Sequence, residues 1–301
     1  MGLGETPESV HAIRSWFLER GGPDIAKALY CHTGREAVHH LFRVTGGLDS
    51  WIVGECEILA QVKLAYQTAV AARTTGRVLN RVFQTALAAG KTVRAQTGIQ
   101  NGIHSIGGAA ALLVSRIFRG DTTGATLVVG AGNAAEAVVK HLAAKNFSSI
   151  LVANRTFEKA KALAGTLGGK AVTLEHGLES LAAVEAAVFS ASCQEPLLKA
   201  PDLARRIAGR QRPLFLVDLG LPRNIDLACG KLPNVFLYDL EHLQNVVSES
   251  MRQKSVEKAK AEGLIVLAVD KCISEIRKAD CHAARPNTGE KTDETKAVVG
   301  V

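Results

Sequence analysis

Through residue 100, apolar side chains recur every three or four positions in four stretches: Glu8 to Arg20, Glu36 to Val44, Glu57 to Arg73 and Arg77 to Thr97. That period lines one side of a helix, so four helices are predicted. Gly21-Gly22-Pro23, Thr33-Gly34, Thr45-Gly46-Gly47 and Thr74-Thr75-Gly76 separate them. A fifth helix, rich in small residues, is predicted from His104 to Phe118. From Ala125 the rhythm changes to short, uninterrupted apolar runs: Ala125–Val129, Ser149–Ala153, Ala187–Ser190, Leu214–Leu219 and Val235–Tyr238. Helical segments lie between them at Ala134–Lys145, Phe157–Leu167 and Ala200–Gly209. Strands that alternate with helices in this way predict an α/β fold with a doubly wound parallel sheet.

From Leu240 to Ala279 the chain has no proline and one glycine, Gly263. A single helix is predicted there, about 60 Å long at 1.5 Å per residue. Its middle, Gly263 to Val269, is too apolar for water and should pack on another domain or on a second copy. The stretch from His282 mixes Pro, Gly, Lys, Glu and Thr and reads as a disordered tail. The expected division is a mostly helical domain over 1–104, a nucleotide-binding domain over 105–239, a long helix over 240–281 and a tail over 282–301.

The run Leu127-Val-Val-Gly130-Ala131-Gly132-Asn133-Ala134-Ala135 stands where the first strand meets its helix. In that strand–turn–helix setting it is a dinucleotide-binding, Rossmann-type fingerprint. Gly130 permits the tight turn, Gly132 lets the backbone approach a pyrophosphate, and Ala135 is small enough for close helix–sheet packing. The phosphates would meet the free N–H groups of a helix start. Asn154-Arg155-Thr156 closes the second strand, 24 residues after Gly130. A carboxylate there would accept the 2′-hydroxyl of NAD; a neutral Asn154 beside Arg155 favours the 2′-phosphate of NADP. NADP(H) is the cofactor expected.

Composition changes this picture little. Of 301 residues 47% are hydrophobic, ample for buried cores. No apolar run approaches the roughly 18 residues of a membrane span, and no signal-peptide core is visible. The six cysteines, at positions 31, 56, 193, 229, 272 and 281, form no CxxC pair and no metal spacing with histidine. No metal site is expected, and reduced thiols in the cytoplasm are. A net charge of +7 suits an anionic partner such as tRNA or a nucleotide.

A second constellation lies upstream of the fingerprint. It runs Leu29-Tyr-Cys-His32, Glu36-Ala-Val-His-His40-Leu-Phe-Arg-Val44, Gly47-Leu-Asp-Ser50 and Gly54-Glu55-Cys56-Glu57-Ile-Leu-Ala-Gln61-Val-Lys63. Downstream stand Asp218-Leu-Gly-Leu-Pro-Arg223-Asn-Ile-Asp226 and Tyr238-Asp239-Leu-Glu-His-Leu243. In this order the segments, from about residue 10 to about 280, resemble glutamyl-tRNA reductase. The resemblance implies NADPH-dependent reduction of the glutamyl ester on tRNA to glutamate-1-semialdehyde, which feeds tetrapyrrole (porphyrin) synthesis. It also implies a cysteine thiolate that forms a thioester, which accepts hydride more readily than an ester does. It gives His40 a catalytic role and makes Ser50, Glu55, Cys56, Glu57 and Gln61 substrate-binding positions. His39 points about 100° away from His40 on a helix, so only one of the two can face a site. An aminomutase as the next enzyme and a homodimer through the C-terminal helix are further partners it suggests.

The family's thiol lies in Ser-Thr-Cys-Asn-Arg, and this chain is expected to start after that segment. It should then bind NADPH but turn over poorly. Cys56 stands where the family usually has proline, and the adjacent Glu55 and Glu57 disfavour a thiolate. Glu57 replaces a glutamine, Asn133 a glutamate, and Cys31 a tryptophan. Two other readings stay open: a non-catalytic NADP- or tRNA-binding member, and an oxidoreductase resembling shikimate dehydrogenase. The last would need a Lys/Asp pair in an α/β domain before the fingerprint, and residues 1–100 offer helices instead.

Overall fold

The structure, a computed structural model, describes residues 7–283. Helices α1 (Pro7–Gly21), α2 (Gly34–Gly46), α3 (Glu57–Ala71) and α4 (Arg77–Gln96) come first, followed by α5 (Ile106–Ile117). Then β1 (Thr126–Val129), α6 (Asn133–Ala144), β2 (Ile150–Asn154), α7 (Phe157–Leu167) and β3 (Lys170–Thr173) follow in turn. The chain continues through α8 (Leu174–Glu179), β4 (Ala186–Phe189), α9 (Ala200–Arg206), β5 (Leu214–Asp218) and β6 (Val235–Tyr238). It closes with α10 (Leu240–Gln253) and α11 (Ser255–Ala283).

All strand pairs are parallel, in the order β3-β2-β1-β4-β5-β6. That is the Rossmann arrangement: chain order reverses between β1 and β4, opening a crevice beyond their carboxyl ends. Every residue of β1 and β4 is buried, because helices cover both faces. One core joins the sheet to α5, α6, α7 and α10 through Ala109, Val138, Leu163 and Leu243. The other joins it to the α9 side through Leu127, Phe189, Leu203 and Leu216. Each fully buried aliphatic side chain of this kind contributes about 1.5–3 kcal/mol.

Strand β3 escaped the pattern because only Ala171 and Val172 are apolar, and its ends are exposed at the sheet edge. The helix predicted from Leu240 to Ala279 is two helices, interrupted at Lys254. Lys254 is buried there, with its ammonium donating to the carbonyls of Val53 at 3.2 Å and Ile103 at 2.8 Å. The apolar middle of α11 packs within the chain: Ala261, Ile265, Val269 and Cys272 meet Val38 and Phe42 of α2 and Val82 and Val93 of α4. Leu267, on the opposite side of α11, is exposed. The predicted tail beyond Ala283 lies outside the described residues.

Candidate functional site

The phosphate cradle forms because β1 ends where only glycine fits. Gly130 has φ +122°, and a Cβ there would stand 2.9 Å from the Ser190 carbonyl oxygen. Gly132 caps α6 with no side chain, and a Cβ there would meet nothing within 4 Å. The space over the first turn of α6, where Asn133 and Ala134 present their amides, is open for an anion. Ala131 and Ala134 are partly buried against the core, and Ala135 is fully buried. The helix start is held from below by α5, where a Cβ on Gly107 would fall 2.4 Å from the Ala134 carbonyl oxygen. These residues fit a dinucleotide pyrophosphate.

The loop after β2 overhangs this crevice. Asn154 folds back on itself, donating from Nδ2 to the Thr156 carbonyl at 3.0 Å. Thr156 precedes α7 without capping it, which leaves its hydroxyl out of the helix start. Arg155 is exposed and reaches across to the Ser192 carbonyl at 3.0 Å, in the loop after β4. Its guanidinium therefore lies over the switch point, where an adenosine ribose would rest in this fold. Below that loop, buried Asn224 accepts from the Ala191 amide at 2.7 Å and donates to Cys193 Sγ at 3.0 Å. Asp218 accepts the amides of Gly220, Asn224 and Ile225. Burial pushes the Asp218 carboxyl up, opposed by those three amides.

His40 lies on α2 at the edge of the helical part. Its Nδ1 is 3.2 Å from Asp49 Oδ2, and its Nε2 is 3.0 Å from the Tyr30 hydroxyl. Arg43, one turn on, donates from Nε and Nη2 to Asp49 Oδ1 at 3.0 and 2.6 Å, and from Nη1 to Glu262 of α11 at 2.6 Å. Burial pushes the Asp49 carboxyl up, but the Arg43 hydrogen bonds and charge, with His40, outweigh it and hold Asp49 below its ordinary value. His39 pairs instead with Glu262 at 3.2 Å, the same carboxylate that Arg43 meets, and not with Asp49. Tyr30 and His32 also line a cavity of about 570 Å³ between α1, α2, α4 and the end of α11, with Phe17, Val38 and Val82.

The loop from Gly47 to Cys56 brings the remaining predicted residues together. Ser50 is hydrogen-bonded to Glu55, which is half-buried; burial first, and the charge of Glu57 second, raise the Glu55 carboxyl. Gly54 must be glycine, because a Cβ would stand 2.3 Å from the Ile99 carbonyl oxygen. Ile52 leaves the helical part and joins the core that contains Val217 and Leu219 at the carboxyl end of β5. The loop is thus pinned against the sheet edge from which a cofactor would be read. Glu57 and exposed Gln61 follow one turn apart on α3.

Cys56 stands at the N-cap of α3 without a side-chain bond to the helix amides. Its Sγ accepts from Gln100 at 3.0 Å, and the Arg94 guanidinium donates to the carbonyls of Glu55 and Cys56. Arg94 and Lys254 both lie near Cys56, so cations as well as the two carboxylates surround it. Sequence reasoning missed Tyr30, Arg43, Asp49, Arg94, Gln100, Lys254 and Glu262. Three of these carried a signal inside the upstream segments: Tyr30 in Leu29-Tyr-Cys-His32, Arg43 just before Val44, and Asp49 in Gly47-Leu-Asp-Ser50. Among the described residues no three His, Cys, Asp or Glu side chains could hold a metal ion, and no helix is long and apolar enough to cross a membrane.

The family profile for the glutamyl-tRNA reductase N-terminal domain matches residues 4–97, and that for shikimate/quinate 5-dehydrogenase matches residues 113–246. The chain is 39% identical over 265 residues to the glutamyl-tRNA reductase of Nitratidesulfovibrio vulgaris strain DP4, covering 87% of this chain and 60% of that protein. It is 41% identical over 273 residues to that of Solidesulfovibrio magneticus, covering 89% and 60%. The solved glutamyl-tRNA reductase of Methanopyrus kandleri is 33% identical, with 87% of this chain and 68% of that one covered and a TM-score of 0.48. The chain spans about 60% of the length of the curated relatives it matches. The shikimate dehydrogenase likeness stops at the nucleotide-binding half. With the upstream histidine–serine–glutamate block and the Rossmann domain on one chain at this identity, the chain belongs to the glutamyl-tRNA reductase family.

Proposed function

We propose that this chain supplies the NADP-binding and substrate-facing parts of a glutamyl-tRNA reductase, which converts the glutamyl ester on tRNA to glutamate-1-semialdehyde for tetrapyrrole synthesis. One observation supports the reading most: the loop bearing Asp49, Ser50 and Glu55 is tied by Ile52 to the core beneath the carboxyl edge of β5. Substrate-facing and cofactor-facing residues are thereby parts of one body.

Bound NADPH would supply the hydride. Gly130 to Ala135 would hold its pyrophosphate on the start of α6, and Arg155 with Thr156 would leave Ser192 to take the 2′-phosphate, which neutral Asn154 does not repel. Glu55 would accept the substrate ammonium, with Ser50 and Gln61 bonding its polar atoms and Cys56 and Glu57 bordering them. His40 would exchange a proton with the leaving oxygen or the forming aldehyde. The attacking thiol belongs, by the family resemblance, to Ser-Thr-Cys-Asn-Arg, a sequence that residues 1–301 do not contain. Action in the cytoplasm, transfer of the aldehyde to an aminomutase and pairing of two chains along α11, where Leu267 and Val256 are exposed, complete the proposal.

The test is an assay of the 301-residue chain with NADPH and glutamyl-tRNA, alone and with a peptide carrying Ser-Thr-Cys-Asn-Arg. NADPH binding is expected in both, with aldehyde release stimulated by the peptide. Full turnover alone would place the thiol among the six cysteines present. Binding without turnover in either case would identify a non-catalytic NADP- or tRNA-binding member. Arg155→Ala should weaken NADPH roughly ten- to a hundredfold, the worth of one charge-assisted bond, and leave NADH unchanged.

A further inference from the structure

We infer that Asp49 is the positioning residue for His40: its carboxylate holds the imidazole proton on Nδ1 and leaves Nε2 as the nitrogen offered to a reacting group. The identity of that reacting group rests on the reductase reading; the position of the proton does not.

The geometry carries the assignment. Asp49 Oδ1 accepts both bonds from Arg43, at 3.0 and 2.6 Å, which leaves Oδ2 for His40 Nδ1 at 3.2 Å. An ionised carboxylate only accepts, so the nitrogen facing it must carry hydrogen. In the neutral ring Nε2 is then the acceptor, and the Tyr30 hydroxyl donates to it at 3.0 Å. Arg43 cannot lose its proton, and Glu262 of α11 fixes its third nitrogen at 2.6 Å. The carboxylate is therefore clamped from a second element and cannot turn away from the imidazole.

The other charged and titratable groups around the ring do not compete for Nδ1. His32 approaches with its ring centroid 5.0 Å away and pairs with Glu36 at 3.9 Å. His39, next in the chain, faces Glu262 instead. Tyr30 is 70% exposed, far more than His40 itself, and its ring rests edge-on against His40 and tilted against His32. A substrate hydroxyl can displace this exposed phenol and donate to the same nitrogen. Ser50, the next residue after Asp49, bonds Glu55. One turn thus sets both the imidazole and the substrate-facing pair, which suits a proton exchange at the substrate.

Nitrogen NMR of the imidazole side chains in the 301-residue chain tests this, at a pH where His40 is neutral and with no substrate present. Wild type should show His40 protonated at Nδ1 and bare at Nε2. Asp49→Asn has a single acceptor oxygen, which Arg43 claims, so it turns its amide NH2 toward Nδ1 and should reverse the tautomer to Nε2–H. Asp49→Ala should lose the Nδ1–H signal, as the ring returns to the Nε2–H form preferred in free histidine. Tyr30→Phe should retain Nδ1–H. A wild-type ring protonated at Nε2 would overturn the assignment even if no variant folded, and so would an Asp49→Ala spectrum like that of wild type. The tautomer is read without turnover, so a chain with Nδ1–H that stays inactive even with the Ser-Thr-Cys-Asn-Arg peptide counts against the reductase reading and not against Asp49.

Discussion

Two glycines of the cradle look alike in sequence and differ in what they do. Gly130 sits at φ +122° against Ser190, whereas Gly132 has ordinary extended geometry and open space around it. Gly130→Ala should therefore cost about 1–3 kcal/mol of stability, the range for a forced backbone conformation. Gly132→Ala should stay within about 0.5 kcal/mol of wild type and instead weaken NADPH at least tenfold, because its methyl group projects into the phosphate's approach. Urea unfolding and fluorescence titration of the two variants measure this; equal stability losses would contradict it. The glycine turn between β1 and α6 was legible because it is local. Cys56 was not: its neighbours in sequence are carboxylates, but Arg94, Gln100 and Lys254 reach it only through the fold. Asp49 is a similar case, since Arg43 lies six residues away but Glu262 lies on the far helix.

Among the elements, period and punctuation located twelve of the helical and strand segments within a residue or two and failed where a tertiary contact decided. Nothing in the composition of Leu240 to Ala279 interrupts a helix. The break comes at Lys254, whose ammonium is spent on the carbonyls of Val53 and Ile103 and whose burial lowers its proton affinity. Lys254→Met should leave both carbonyls without that donor and cost about 1–3 kcal/mol, seen as a lower urea midpoint. An unchanged midpoint would show the break to be incidental. Strand β3 failed differently: two apolar residues between polar ends carry too little periodicity, and its place is set by pairing with β2. The close crossing of α5 on α6 at Gly107 was likewise invisible, since a glycine in a small-residue helix announces no partner.

At the scale of the molecule, charge clusters in each half make stability depend on acid. Asp239 accepts from Arg223 and His242, which outweigh its burial and bring it down to about 2, and Asp49 is also held below its ordinary value. Carboxylates depressed by folding stabilise the native state above their unfolded value near 4, and that contribution is lost as pH falls through the folded value. Glu55 and Asp218 are raised, so each acts with the opposite sign: favourable at low pH and lost as pH rises through its folded value. Urea midpoints followed from pH 7 to pH 2 should decline below about pH 4, and Asp239→Asn should flatten that decline. A profile unaltered by the substitution would mean that the Arg223–Asp239–His242 link does not stabilise the fold. The reductase account itself depends on which nucleotide the crevice takes, and titrating the wild-type chain with NADPH and with NADH decides that directly. Tighter binding of NADPH by about tenfold or more is expected from one guanidinium–phosphate bond; equal affinities, or no binding of either, would contradict it.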